Sequence, residues 1–215
     1  MRHTHIFFDL DGTLVESAPG IIESLLHALR SLGVEPSELD ERLVVGPPIL
    51  ESLQGLFGLS PAEAERGLQI YRAYYREKGC FKASLYPGIA ELIHGLAAQG
   101  AALFLATSKL EEHAALMLRH FGLASHFRCI GGGGGGSAEA HKAAVLRRVL
   151  REHPLPRSAA AIMVGDTRYD VLGAHELGLP CAGVLYGYGT RRDLEDAGAD
   201  FLIPDVRALT EFLQV

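Results

Sequence analysis

Three short apolar runs constrain this chain more than any other feature of it. They occupy residues 6–9, 101–107 and 160–165, and they end at or just before Asp9, Thr107 and Asp166. Runs this short and this apolar suit strands buried on both faces. Between them the periodicity becomes helical. Ile89, Leu92, Ile93 and Leu96 recur at i, i+3, i+4 and i+7, with Gly100 behind them as a stop. Val145, Leu146, Val149 and Leu150 form a second apolar stripe. Weaker strands are expected at 182–186 and 201–203. Strands alternating with helices at this spacing predict an α/β fold. Ligands of open α/β sheets gather at the carboxyl ends of the strands, so Asp9, Thr107 and Asp166 are predicted to meet there.

The stretch 15–84 follows a different pattern. Ile21, Ile22, Leu25, Leu26, Leu29 and Leu32 have helical spacing, a second helical region runs from Pro61 to about Lys78, and no convincing strand is present. This reads as a mostly helical insert of ~70 residues directly after the first strand. The expected architecture is a doubly wound (Rossmann-like) parallel sheet core with a small helical domain inserted. The core takes 1–14 and 85–215, and the helical domain takes 15–84.

The bulk numbers exclude several classes. Of 215 residues, 48% are hydrophobic and 21% charged, which is globular and not disordered. A net charge of −6 without a Lys/Arg block argues against a nucleic-acid partner. Cys80, Cys129 and Cys181 lie far apart, so neither a disulfide scaffold nor a structural zinc site is expected. The apolar start is too short for a signal peptide, and no window approaches a membrane span. The expectation is a soluble cytoplasmic protein with no membrane partner.

Four clusters could carry chemistry. In Asp9-Leu10-Asp11-Gly12-Thr13 two carboxylates at a strand end can divide the work of nucleophile and general acid/base. The same residues also read as a strand closed by an Asp-Gly turn. Thr107-Ser108-Lys109 offers a hydroxyl and backbone N–H groups suited to a phosphate oxygen, or equally a helix N-cap. Lys142 opens a helix, where the macrodipole disfavours a cation; it has either a special task or a solvated place. In Gly165-Asp166-Thr167-Arg168-Tyr169-Asp170 two aspartates four apart suit a hard cation such as Mg²⁺, or else cap the next helix.

Other features attract a functional reading and fail it. The glycine run 131–136 is followed by Ser137-Ala138, not by the Lys-Ser/Thr of a phosphate loop, and it is expected to be a flexible loop. Ten histidines suggest a metal, yet His3 and His5 share a strand face without a third ligand nearby. They are expected at the surface or in packing, with His141 as a residue that could line the site. Leu116, Met117 and Leu118 read as helix core.

Taken in order and spacing, the four clusters resemble the motifs of haloacid-dehalogenase-type phosphohydrolases. Asp9-x-Asp11-Gly12-Thr13 matches the first motif, Thr107 the second, Lys142 the third and Gly165-Asp166-x-x-x-Asp170 the fourth. The helical insert occupies the place of that family's cap. Gly46-Pro47-Pro48, Tyr86-Pro87-Gly88, Ala106-Thr107-Ser108-Lys109 and Gly187-Tyr188-Gly189 are similar to the phosphoglycolate-phosphatase-like branch.

The resemblance implies that Asp9 attacks phosphorus and becomes an aspartyl-phosphate, while Asp11 is general acid and then general base. It implies Mg²⁺ at Asp9, Asp166 and the Asp11 backbone carbonyl, with Asp170 acting through water or as an orienting group. Thr107 and Ser108 would hold phosphoryl oxygens, Lys142 would pair with Asp9, and Gly12, Thr13 and Lys109 would complete the substrate-binding set. The implied substrate is a small phosphorylated metabolite: phosphoglycolate-like, a nucleotide, a sugar phosphate or pyrophosphate. Transfer to a second hydroxyl, as in a β-phosphoglucomutase-type mutase, is the alternative, and a non-enzymatic phospho-acceptor domain a more distant one. Arg72 or Arg76 would pair with a substrate anion, or lie on a solvated helix face. A monomer or homodimer is expected.

Overall fold

The computed structural model describes residues 3–36, 45, 47–134, 141–156 and 159–214. Six parallel strands form one sheet: β1 (His5–Phe8), β4 (Ala102–Leu110), β5 (Phe127–Gly133), β6 (Ala161–Gly165), β7 (Cys181–Val184) and β8 (Phe201–Ile203). Their order is β5-β4-β1-β6-β7-β8, so the chain winds outward from β1 in both directions. Val15–Glu16 (β2) and Ser84–Leu85 (β3) pair antiparallel as a separate small ribbon.

The apolar runs become central strands because both faces of the sheet are covered. Side chains alternate between the faces. Ile6, Phe8, Leu103, Leu105, Ile162 and Val164 join one buried cluster, and Phe7, Phe104 and Met163 join another on the opposite face. Helices α4 (Ile89–Ala98), α5 (Glu111–His120) and α9 (Val206–Gln214) cover the first face. Helices α6 (Lys142–Glu152), α7 (Arg168–Glu176) and α8 (Arg191–Asp196) cover the second. This is the doubly wound α/β fold that the strand–helix alternation predicts.

Helices α1 (Ala18–Ser31), α2 (Ile49–Gly55) and α3 (Pro61–Glu77) follow β1 and β2 and pack on one another. Helix α3 begins with a capping box. Ser60 Oγ accepts from the Glu63 N–H, the Glu63 carboxylate accepts from the Ser60 N–H, and Pro61 occupies the first turn.

Four details differ from the sequence expectations. The stretch 15–84 was expected to lack strands, yet its two ends form the ribbon β2–β3, each strand only two residues long and below what periodicity can register. Strand β4 runs past Thr107 to Leu110 with a shift of register after Ala106, so Thr107 is not the N-cap of α5; Leu110 is. The segment at 182–186 ends as a strand at Val184.

The fourth concerns the glycine run, expected to be a loop. Gly131–Gly133 lie in β5, paired with the end of β4. A sheet ladder uses only backbone groups, so glycines can complete it. The lack of side chains also lets α5 come close: a Cβ on Gly132 would stand 2.3 Å from the Cα of Glu111. Gly135 and Gly136 lie outside the described residues.

Candidate active site

The carboxyl ends of the adjacent strands β4, β1 and β6 bring the predicted residues together. Asp9 follows β1 and its N–H donates to Val164 O of β6 at 2.9 Å. Asp166 follows β6 and is fully buried, as is Asp170 in the first turn of α7. One carboxylate oxygen from each of Asp9, Asp166 and Asp170 lies within 4.8 Å of the others.

A single cation stands among them. Lys142 Nζ is 2.7 Å from Asp9 Oδ1 and 2.6 Å from Asp170 Oδ1, and it donates to Ala106 O at 2.8 Å. Lys142 is buried, so its position at the start of α6 is explained by these partners and not by solvent. Burial opposes its charge, but Asp170 and Asp9 outweigh that and hold the ammonium above its ordinary value. Burial pushes the Asp9 carboxyl up to about 6, with Lys142 pulling against this and Asp170 reinforcing it. Burial, then the charges of Asp170 and Asp9, lifts Asp166 well above the usual carboxylate range.

Each carboxylate is oriented. Asp166 Oδ1 accepts from Thr13 Oγ1 at 3.2 Å and Oδ2 from the Tyr188 N–H at 2.8 Å. Asp170 Oδ2 accepts from the Thr167 N–H at 3.0 Å and the Thr167 hydroxyl at 2.8 Å, a capping box for α7. Asp170 therefore caps a helix and faces the site at once, and the N-cap is Thr167 in place of Asp166. Gly12 has φ 79°, and a Cβ there would lie 2.1 Å from Asp166 Oδ2; only glycine permits this turn against the carboxylate.

The cluster suits a hard divalent cation. Three buried carboxylates face one ammonium, an excess of negative charge in a site poor in water. Asp9 Oδ1 and Asp170 Oδ1 have Lys142 as counter-charge but no donor aligned for a hydrogen bond. Clustered carboxylate oxygens are the donors Mg²⁺ takes.

Asp11 faces elsewhere. Its Oδ1 accepts from Ser17 Oγ at 2.5 Å, and its Oδ2 lies 3.2 Å from Lys109 Nζ. Lys109 also donates to Tyr75 OH of α3 at 2.7 Å and stands 4.2 Å over that ring. Lys109 thus joins Asp11 to α3. Thr107 is buried and its Oγ1 accepts from the Lys109 N–H at 3.3 Å; Ser108 is half-buried beside it. Thr13, expected at the substrate, has its hydroxyl on Asp166.

Other sequence candidates lie away from the carboxylates. His141 is 3.7 Å from Glu51 of α2. Arg76 is exposed and 3.8 Å from Glu112, while Arg72 is half-buried on α3. His3 packs on Phe212 and His5 on Phe104. Met117 and Leu118 are core. Gly46 lies outside the described residues, and Pro48 precedes α2. Sequence reasoning passed over Ser17 and Tyr188 as site residues. Of the two, Tyr188 had a signal, between the glycines of Gly187-Tyr188-Gly189.

A doubly wound sheet with a buried carboxylate cluster at its strand ends has its polar groups where ligands of such folds bind. The sequence model of the haloacid dehalogenase-like hydrolases matches residues 6–184, and the chain belongs to that family. It is 34% identical to a 5′-nucleotidase of Pseudomonas aeruginosa across 100% of this chain and 97% of that protein. It is 38% identical to tyrosine-protein kinase PtkA of Mycobacterium tuberculosis over 96% of this chain and 70% of that one. A phosphoglycolate phosphatase of Pseudomonas fluorescens is 31% identical over 95% of this chain and 77% of its own length. The crystal structure of a predicted phosphatase from Clostridium acetobutylicum superposes with a TM-score of 0.92 at 33% identity, covering 99% of each chain.

Proposed function

We propose that this phosphoric monoester hydrolase works through an aspartyl-phosphate on Asp9. The observation that carries this reading is the buried Asp9 carboxylate at the end of β1, facing Lys142, with Asp166 and Asp170 beside it. An oxygen of Asp9 attacks phosphorus and the bond to the leaving oxygen breaks. Asp11 gives that oxygen its proton, then takes a proton from the water that attacks phosphorus and frees Asp9. The Lys142 ammonium keeps Asp9 ionised and offsets the charge of the phosphoryl group. Thr107 and the Ser108 N–H hold phosphoryl oxygens. Gly12 and Thr13 shape the floor of the pocket, with Thr13 acting through Asp166, and Lys109 is read as a link to Asp11.

Asp9, Asp166 and the Asp11 backbone carbonyl would hold Mg²⁺, with Asp170 orienting the set, and the ion would supply the positive charge that an anionic nucleophile needs to approach an anionic phosphate. Residues 15–84 are read as a cap that closes over the substrate and excludes water, on a core of 1–14 and 85–215. The substrate is a small phosphorylated metabolite. Nucleoside monophosphates are the first to test, because the 5′-nucleotidase relative matches end to end. A second reading passes the phosphoryl group to a hydroxyl instead of water; the similarity to a protein named a tyrosine kinase favours it.

Purified protein with Mg²⁺ is expected to release inorganic phosphate from an aryl phosphate. The Asp9→Asn variant, folded by circular dichroism, is expected to release none. Turnover in that variant at the parent rate would overturn the reading. Phosphate appearing on an added alcohol in place of free phosphate would favour the second one.

A further inference from the structure

The stretch Gly187-Tyr188-Gly189 has no task in the chemistry above, yet Tyr188 reaches both halves of the site. Its N–H donates to Asp166 Oδ2 at 2.8 Å. Its phenol oxygen accepts from the Ser17 N–H and the Ala18 N–H, both at 2.8 Å, and lies 3.3 Å from Glu16 Oε1, to which it donates. Those two N–H groups begin α1. A helix start ordinarily finds an acceptor in the side chain of its own N-cap residue. Here the N-cap is Ser17, and its side chain makes no capping bond. The Ser17 hydroxyl donates to Asp11 instead. The loop has little room to shift, because a Cβ on Gly187 would lie 2.3 Å from Gly12 O and one on Gly189 2.0 Å from Asp166 O.

We propose that Tyr188 is a positioning residue that caps α1 from outside the helix and thereby holds Ser17 where its hydroxyl fixes the Asp11 carboxylate. Because the same residue's backbone holds Asp166, the acid–base carboxylate and the buried cluster keep one mutual geometry. The phenol touches no reacting atom; it acts through Ser17. The inference rests on the acid–base reading of Asp11, and the test separates the two.

Steady-state kcat and KM are measured with Mg²⁺ for the parent, Tyr188→Phe, Ser17→Ala, the double variant and Asp11→Asn. Each is assayed on p-nitrophenyl phosphate, whose leaving group needs little protonation, and on an alkyl phosphate, whose leaving group needs it fully. Loss of a well-placed acid costs most where the leaving group is poor. Tyr188→Phe is therefore expected to lower kcat/KM, which reads the transfer to Asp9 before the shared water step, about tenfold on the alkyl phosphate and much less on the aryl one. Ser17→Ala is expected to show the same bias, and the double variant to be no worse than the more damaged single one, as for two members of one chain of contacts.

Equal losses on both substrates in Tyr188→Phe, with the bias present in Asp11→Asn, would overturn the inference alone. Equal losses of kcat/KM in Asp11→Asn would overturn the reading of Asp11 as the acid for the leaving group, and the inference with it. If Tyr188→Phe does not fold, Ser17→Ala breaks the same link from its other end, and an unbiased loss there is equally contrary.

Discussion

Asp9 and Asp11 stand two residues apart, and their surroundings share almost nothing. Asp9 turns into the sheet, among Asp166, Asp170 and the buried Lys142. Asp11 turns toward the helices, held by Ser17 at the start of α1 and by Lys109, which is itself bound to Tyr75 of α3. The first carboxylate faces Lys142 and Asp170, which start the two core helices α6 and α7. The second is held by Ser17 at the start of α1 and by Lys109 of strand β4, which reaches on to α3. This contrast explains how one short turn supplies both a nucleophile and a proton carrier. Gly12, directly after Asp11, lets the chain turn there against the Asp166 carboxylate.

The largest expected effect breaks the Asp9 side. Asp9→Asn should lower kcat by roughly 10⁴-fold or more on every leaving group, since the nucleophile itself is lost. Asp11→Asn should lower kcat/KM most on poor leaving groups. The same pattern in both variants would erase the distinction between the two carboxylates.

Next is Lys142→Met, which leaves Asp9 and Asp170 without their shared cation. At pH 8 without metal it should cost about 3 to 5 kcal/mol of stability, the usual result of removing one partner of a buried ion pair. Urea unfolding reads this directly, and an unchanged midpoint would mean that the ammonium is dispensable to the cluster.

A smaller effect comes from pH and metal together. Asp9 titrates at about 6 in the fold, above its ordinary 3.8, so the folded protein binds this proton more tightly than the unfolded chain does. As pH rises through that window the buried negative charge therefore works against the fold. A divalent cation held by these carboxylates must displace the Asp9 proton below about pH 6 but finds Asp9 ionised above it. Mg²⁺ should thus raise Tm more at pH 8 than at pH 5. An equal shift at both values would place the metal elsewhere.

The smallest effect concerns a position whose close neighbour is Glu111 and neither carboxylate. Gly132→Ala forces a methyl against Glu111 and should cost about 1 to 3 kcal/mol as overpacking, with kcat per folded molecule unchanged.

The sheet and the Asp9 cluster were legible in the sequence for one physical reason. Buried parallel strands leave unbroken apolar runs, and the residue that ends each run stands at the ligand-binding edge. Asp9 and Asp166 could be placed together that way, and Lys142 stood out as a cation at a helix start. Strand β5 was not legible, because three of its seven residues are glycine and a ladder needs no side chains. The ribbon β2–β3 was too short to show any period. The partners of Asp11 were hidden for a different reason. Ser17 is the N-cap of α1, but its hydroxyl is taken by Asp11, six residues back, and nothing in the sequence marks that pairing. Lys109 reads as a phosphate ligand, but its ammonium is taken by Asp11 and Tyr75. Tyr188 meets Ser17 across 171 residues of chain. Pairings set by tertiary contact leave no spacing to read.

The central claim is that Asp9 and not Asp11 takes the phosphoryl group. A brief turnover with substrate and Mg²⁺, quenched and reduced with borohydride, converts a phosphorylated aspartate to homoserine, which peptide mass mapping locates. Homoserine is predicted at position 9 alone. Homoserine at position 11, or at neither position while turnover continues, would contradict it.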